Sequence, residues 1–373
     1  MELRENHMAL LTEGQVIRDT YTVERFLGEG AFAEVYRVQH RFLGRQAMKV
    51  LKLSVASLEE IESLLAEALL LSRIGHPNIV RVFDANTLEV KGARHGFFTM
   101  EYIAGGSLDR FWRSYRDSIM PVSEAVGIIK QMCAGIAVAH AEDPPIVHRD
   151  IKPQNILVGY DGNGLRVRVS DFGLAKHANP MTLLVSAKGT LSFKPPETLK
   201  NHDSSAADVW AIGTTFYLLL TDTLPYPDLD ERDIADASRF LRPLRPASVY
   251  NMNVDPALDA ILSRCLAAKP EDRYQNASEL LNELSRWRPG RSSTISSSTP
   301  SQGGTQGKSI FGQRSSSDID AARQMINDAV AASKKLGSLM SAADLLEEAI
   351  NKAPELRDQY ESQLKLWRRG VCM

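Results

Sequence analysis

Two short segments constrain this chain more than anything else in it: His148-Arg149-Asp150-Ile151-Lys152-Pro153-Gln154-Asn155 and, further on, Asp171-Phe172-Gly173. Between them, Ile156-Leu157-Val158 and Val167-Arg168-Val169 flank Asp161-Gly162-Asn163-Gly164. β-rich runs around such a turn signal predict a tight hairpin. Asp161 reads as a turn residue, not a metal ligand. Two acids, an Asn and a Lys are thus packed into two short stretches joined by a hairpin. Transfer of a phosphoryl group to a hydroxyl asks for such a set. One carboxylate receives the proton, a second carboxylate and an amide oxygen hold divalent cations, and an ammonium balances charge on the moving group.

The spacing H-R-D-x-x-x-x-N followed by D-F-G resembles the catalytic-loop and metal-binding signatures of protein kinases. By these motifs the chain resembles the eukaryotic-like (Hanks-type) Ser/Thr protein kinases, bacterial ones included. The resemblance implies an α+β, two-lobed fold over residues 20–288, with a β-rich N-lobe (20–103) and a helical C-lobe (104–288). It implies ATP with Mg2+ or Mn2+ as cofactors. Asp150 would take or orient the substrate proton, and Lys152, at the position that marks Ser/Thr specificity, would stabilise the transferring group. Asn155 and Asp171 would be the metal ligands, and His148 a core ring below them.

Three upstream motifs carry the same resemblance. Tyr21 to Leu27 alternates as a strand and runs into Gly28-Glu29-Gly30-Ala31-Phe32-Ala33-Glu34-Val35-Tyr36, where glycines let backbone amides approach phosphates. Ala33 stands where the family usually has a third Gly. Gln46-Ala47-Met48-Lys49-Val50 resembles the strand that carries the phosphate-binding Lys. A Lys on an apolar strand needs a partner. Ser57-x-x-Glu60 reads as a capping box for a helix on which Glu67 is the expected partner of Lys49, with Glu60 and Glu62 as rivals. Strands are expected at Val80–Phe83 and Phe97–Met100 around a Lys91-Gly92 turn. Met100 to Leu108 resembles the interlobe hinge, with Met100 as gatekeeper and the Glu101 carbonyl and Ile103 amide on the adenine. The implied ATP-binding set is Gly28, Glu29, Gly30, Val35, Ala47, Lys49, Glu67, Glu101, Ile103 and Leu157.

The segment from Asp171 to Glu197 corresponds to an activation loop. Pro195-Pro196-Glu197 replaces the family's A-P-E, and Phe193 stands where Tyr is common. By resemblance Glu197 pairs with Arg273, and Thr190 bonds near Asp150 and Lys152. Arg149 beside Asp150 is a buried cation in want of an anion. A loop phosphate would supply one, with Ser186, Thr190 and Thr182 as candidates. The alternative is a loop ordered without phosphate. Asp208 has a plain reading as the acid of a Ser205-x-x-Asp208 capping box, and the resemblance implies that it hydrogen-bonds the catalytic-loop backbone; both can hold.

Net charge is −2 and charged residues make up 24% of the chain, so no pull toward nucleic acid or an anionic membrane is expected. Cys133, Cys265 and Cys372 are too scattered for a disulfide framework, which favours buried thiols in a reducing cytosol. Residues 1–19 read as a lead-in without a secretory core, and Ala211–Leu220 is too short to span a membrane. Residues 289–317, rich in Ser, Thr and Gly, read as a flexible linker. Helical patterning returns over 318–373. It fits either one loose tetratricopeptide-like repeat or a small helical hairpin with a third helix, serving a protein partner or self-association. Two rival functions stay open: a non-catalytic binding module on the same fold, and a small-molecule kinase. Intact Lys49, Asp150, Asn155 and Asp171 weigh against the first, the long loop after Asp171 against the second.

Overall fold

The computed structural model describes residues 9–30, 33–54, 75–115, 119–161, 164–172, 191–200, 202–226, 242–289, 316–333, 339–353 and 356–371, with isolated positions between 59 and 73 and at 240. Glu67, Gly173, Thr182, Ser186 and Thr190 lie outside them. So do the 57–60 capping box and most of the 289–317 linker.

Strands β1 (Val16–Ile17), β2 (Tyr21–Glu29), β3 (Ala33–His40), β4 (Gly44–Ser54), β5 (Val82–Val90) and β6 (Ala93–Glu101) form one antiparallel sheet in the order β1-β2-β3-β4-β6-β5. Period-2 alternation buries Tyr36 and Val38 of β3 against Met48, Val50 and Phe97. Both later strands run longer than expected, and their turn sits at Lys91-Gly92, where both residues have positive φ. The lead-in drawn over 1–19 needs correction in its second half. β1 joins the sheet and Leu11 is buried in the same core. Glu34, itself buried, accepts the Leu10 amide at 2.9 Å, and the Tyr36 hydroxyl accepts that of Leu11 at 3.0 Å. Ala33 is also buried, so the methyl that replaces the family's Gly packs inside.

The C-lobe is built on helices α1 (Leu108–Trp112), α2 (Val122–His140), α3 (Ser205–Thr221), α4 (Pro256–Cys265) and α5 (Ala277–Arg286), with the hairpin β7 (Ile156–Asp161) and β8 (Gly164–Val169). Asp161 pairs with Gly164 at the hairpin's end, as a turn residue should. Helix α3 is buried from Ala206 to Thr221 and forms the centre of the lobe. Its N-cap is Ser204, which accepts the Ala207 amide, so the capping-box reading of Asp208 fails and the catalytic-loop reading stands. Helix α2 is long and apolar enough to cross a membrane by length and composition. Its apolar stripe (Val126, Ile129, Met132, Ile136) lies in the C-lobe core.

Three tail helices follow: α6 (Ser316–Ser333), α7 (Leu339–Lys352) and α8 (Arg357–Arg368). Ala322, Ile326, Ala329, Ala342, Leu346, Ile350, Leu364 and Trp367 close a small core of their own, with Tyr160 of β7 packed on it. The single-repeat reading gives way to the three-helix one, and the third helix supplies the Trp367 that a bare hairpin would lack.

Candidate active site

The hairpin does what its sequence promised. It hangs the catalytic segment and Asp171 from one short sheet, and its first strand ties back to the hinge through a Ser107–Leu157 bridge. Asp150, Lys152 and Asn155 converge. Lys152 Nζ lies 2.9 Å from Asp150 Oδ2, and Asn155 Nδ2 donates to the same oxygen and to the Asp150 carbonyl, each at 2.8 Å. Both Asn155 donors are committed to Asp150, which leaves its carbonyl oxygen for a cation. Across the cleft Lys49 Nζ reaches Asp171 Oδ1 at 2.7 Å. The Lys that the resemblance assigns to phosphates and the carboxylate it assigns to a metal are thereby at one point. Lys49 was expected to pair with Glu67; Glu67 is outside the described residues, and the partner described is Asp171.

The catalytic loop is held rigidly from below. Asp208, fully buried, accepts the amides of His148 at 2.7 Å and Arg149 at 3.0 Å, and bonds His140 Nε2 at 3.0 Å. Burial alone would raise its carboxyl, but the His140 bond and the His148 amide outweigh burial and hold it below the usual carboxylate range. His140 in turn accepts the Ala277 amide at the start of α5, at 3.1 Å. A polar chain thus joins α2, α3 and α5 to the loop that carries the base. His148 is a core ring, 4.6 Å from Phe172 and bonded to the Ser170 carbonyl, and not an acid or base. Arg149 and Asp171 both adopt positive φ, the backbone cost of presenting these side chains.

Three residues of the implied nucleotide set, Val35, Ala47 and Leu157, lie together. Val35, Ala47, Met100, Tyr102 and Leu157 pack into one apolar cluster bridging the lobes. Glu101 turns its side chain to Arg168 at 3.0 Å, which leaves only its backbone for a nucleotide. Ile103 precedes the hinge turn closed by Gly106, whose amide donates to the Ile103 carbonyl. Gly28 and Glu29 pair with Val35 and Glu34 across the β2–β3 end, Gly30 bonds the Ala33 carbonyl, and Glu29 meets Lys52 at 2.9 Å.

A small cavity beside Asp150 is lined by Arg149, Ile151, Phe193, Pro195 and Thr198, and by the buried Asp208 and Ala211. Both departures from the family pattern, Phe193 and Pro195, form its wall. Glu197 and the fully buried Arg273 make a two-pronged pair at 2.9 and 2.5 Å, as expected. One residue that sequence reasoning missed is Asp203. Its carboxylate takes Arg149 Nε at 3.1 Å, an anion for this Arg from outside the activation loop. No motif marks Asp203; only the fold brings it to Arg149.

A metal fits this donor set. One carboxylate and one amide oxygen suit a hard cation that keeps waters and phosphate oxygens as its other ligands. Among the described residues no three His, Cys, Asp or Glu side chains form a closed metal cage.

The two lobes and the cleft between them are those of the protein kinase fold, and residues 21–284 match the protein kinase domain family. The chain belongs to that family. It is 35% identical over 272 residues to the serine/threonine-protein kinase Pkn1 of Myxococcus xanthus, covering 71% of this chain and 38% of that protein. It is 30% identical over 287 residues to a probable serine/threonine-protein kinase, PknB, of Corynebacterium glutamicum, covering 73% and 42%. The chain therefore spans about two-fifths of these relatives. Among solved structures it resembles the Mycobacterium tuberculosis PknI kinase domain, with a TM-score of 0.55, 28% identity, and coverage of 74% of this chain and 99% of that one.

Proposed function

We propose that the protein is an active Ser/Thr protein kinase that transfers the γ-phosphoryl of ATP to protein hydroxyls. The observation that carries this reading is the convergence of Lys49 with Asp171 and of Asp150 with Lys152 and Asn155 on facing walls of one cleft. The substrate hydroxyl enters from the cavity beside Asp150. Asp150 accepts its proton while the oxygen bonds to the γ-phosphorus and the bond to the β-phosphate oxygen breaks, releasing ADP. Lys152 offsets charge on the moving group, and Lys49 holds the α- and β-phosphates. Asn155 and Asp171 would hold the divalent cation, which supplies charge neutralisation on the phosphates when bound. The hinge amide of Ile103 and carbonyl of Glu101 orient the base.

Autophosphorylation at Ser186, Thr190 or Thr182 belongs to the same reading, as does a cytosolic setting, where ATP is abundant. For the tail, an intramolecular role is favoured over self-association, because its apolar core is closed and its acidic face is already taken by the kinase lobes. The test is phosphate incorporation from labelled ATP with Mg2+, comparing the intact chain with Asp150→Asn. A fall of about 100-fold or more supports the reading. Nucleotide binding without any transfer to itself or to a generic protein would replace it with the binding-module reading.

A further inference from the structure

β2 and β3 set Arg25 directly opposite Arg37 in their register. Like charges facing each other across strands are destabilising without an anion between them. Glu24 reaches Arg37 at 2.6 Å and Arg45 at 3.4 Å, but the anion lying between Arg25 and Arg37 comes from the tail: Glu348 of α7, 2.7 Å from each. The same carboxylate accepts the hydroxyl of Tyr102 in the hinge. Its neighbour Glu347 accepts the Tyr160 amide at 3.1 Å on the C-lobe side. The hinge surface has room for this approach because Gly106 and Gly159 carry no side chain. A Cβ on Gly106 would stand 2.9 Å from Asn351, and one on Gly159 would stand 3.1 Å from Glu347. Further along, Arg357 lies 4.2 Å over the Phe111 ring and bonds Ser114. One helical unit therefore grips the N-lobe sheet, the hinge and the C-lobe.

We propose that the tail is a strap that sets the hinge for nucleotide, with Glu348 as its positioning residue. It rests on the kinase reading for what the hinge binds. Glu348 touches no nucleotide. It acts through Tyr102, which flanks Glu101 and Ile103 and packs in the same cluster as Val35, Ala47 and Leu157. Docking of the tail holds these groups in the geometry that accepts adenine, so a partner or modification that lifts the tail would weaken ATP binding.

The test uses the full chain and three variants: Glu348→Ala, the milder Arg25→Ala at a half-exposed position, and, as control, Glu361→Gln, whose carboxylate pairs with Lys365 within α8. A fluorescent ATP analogue gives Kd, steady-state assays split KM from kcat, and hydrogen exchange without nucleotide reads residues 100–106. Glu348→Ala is expected to raise Kd and KM for ATP by about fivefold or more, with kcat changed by less than about twofold. Exchange over 100–106 should quicken in Glu348→Ala, and to a smaller degree in Arg25→Ala, while Glu361→Gln matches the parent. Faster exchange in α7 with unchanged exchange at 100–106 would overturn the strap, and that arm reads out even if the parent chain binds no nucleotide. Failure of the kinase reading would show separately, as no transfer by the parent.

Discussion

At the scale of single residues, Arg149 has an acid beside it that the sequence did not announce. A loop phosphate was one expected anion for it, on a loop outside the described residues; Asp203 offers a carboxylate. Asp203 is 38% exposed, so the pair is solvent-screened and worth about 1 kcal/mol at most. Asp203→Ala should then lower kcat by about fivefold, whereas Ser186→Ala in the parent chain should cost less than about twofold. A larger loss from Ser186→Ala than from Asp203→Ala, in the same peptide assay, would return the role to a phosphate. Asp203 was illegible because an exposed acid in a polar run, Asn201-His202-Asp203-Ser204, has many reasons to be there. Lys49, Asp150, Asn155 and Asp171 were legible because their spacing has few.

At the scale of elements, close packing decides what a helix tolerates. Gly213 sits mid-way along α3, and a Cβ there would stand 2.6 Å from the Cβ of Cys265 on α4. Cys265 is fully buried and has no free space to yield, so Gly213→Ala should cost about 1–3 kcal/mol by overpacking despite the better helix propensity of Ala. Urea denaturation of the two proteins checks it. Helix α7 carries the electrostatic counterpart. Burial pushes Glu347 up to about 7, against the pull of Arg368, which reaches it at 2.5 Å; Asp344 is the other charge beside it. The folded value lies above the ordinary 4.5. The stability linked to this group is thus complete below about pH 4.5 and lost as pH rises through about 7. Exchange protection of residues 342–350 should be greater at pH 5.5 than at pH 8 after correction for intrinsic exchange rates. In Glu347→Gln that difference should shrink, because nothing is left there to titrate.

At the scale of the whole molecule, the tail is part of the kinase unit. Its core takes in Tyr160, and Arg25, Arg37, Arg45 and Arg357 bind it to both lobes. The largely buried Arg37–Glu348 pair is of the kind that costs about 3–5 kcal/mol when one partner is removed, so tail and kinase domain should unfold together. Calorimetry of the full chain should show a single transition, and Glu348→Ala should split off a tail transition at lower temperature. Two transitions in the parent chain would show that the helices are coupled only by the covalent link.

The sequence by itself determined the kinase lobes and the reacting groups, because phosphoryl transfer demands a few residue types at narrow spacings and the hairpin between them has an unmistakable turn. It also determined the helical nature of the tail, from the periodicity of Ile326, Ala329, Leu346 and Ala349. Only the tertiary structure decided where the tail goes. Glu347 and Glu348 read as two ordinary acids on an amphipathic helix, and Arg25 and Arg37 as two surface cations far away in the chain. Register places the arginines face to face, and that opposition calls for a carboxylate that no local pattern could announce. The same holds for Asp203: a long-range polar contact leaves no period in the sequence, since its two halves are joined by the fold and by nothing nearer.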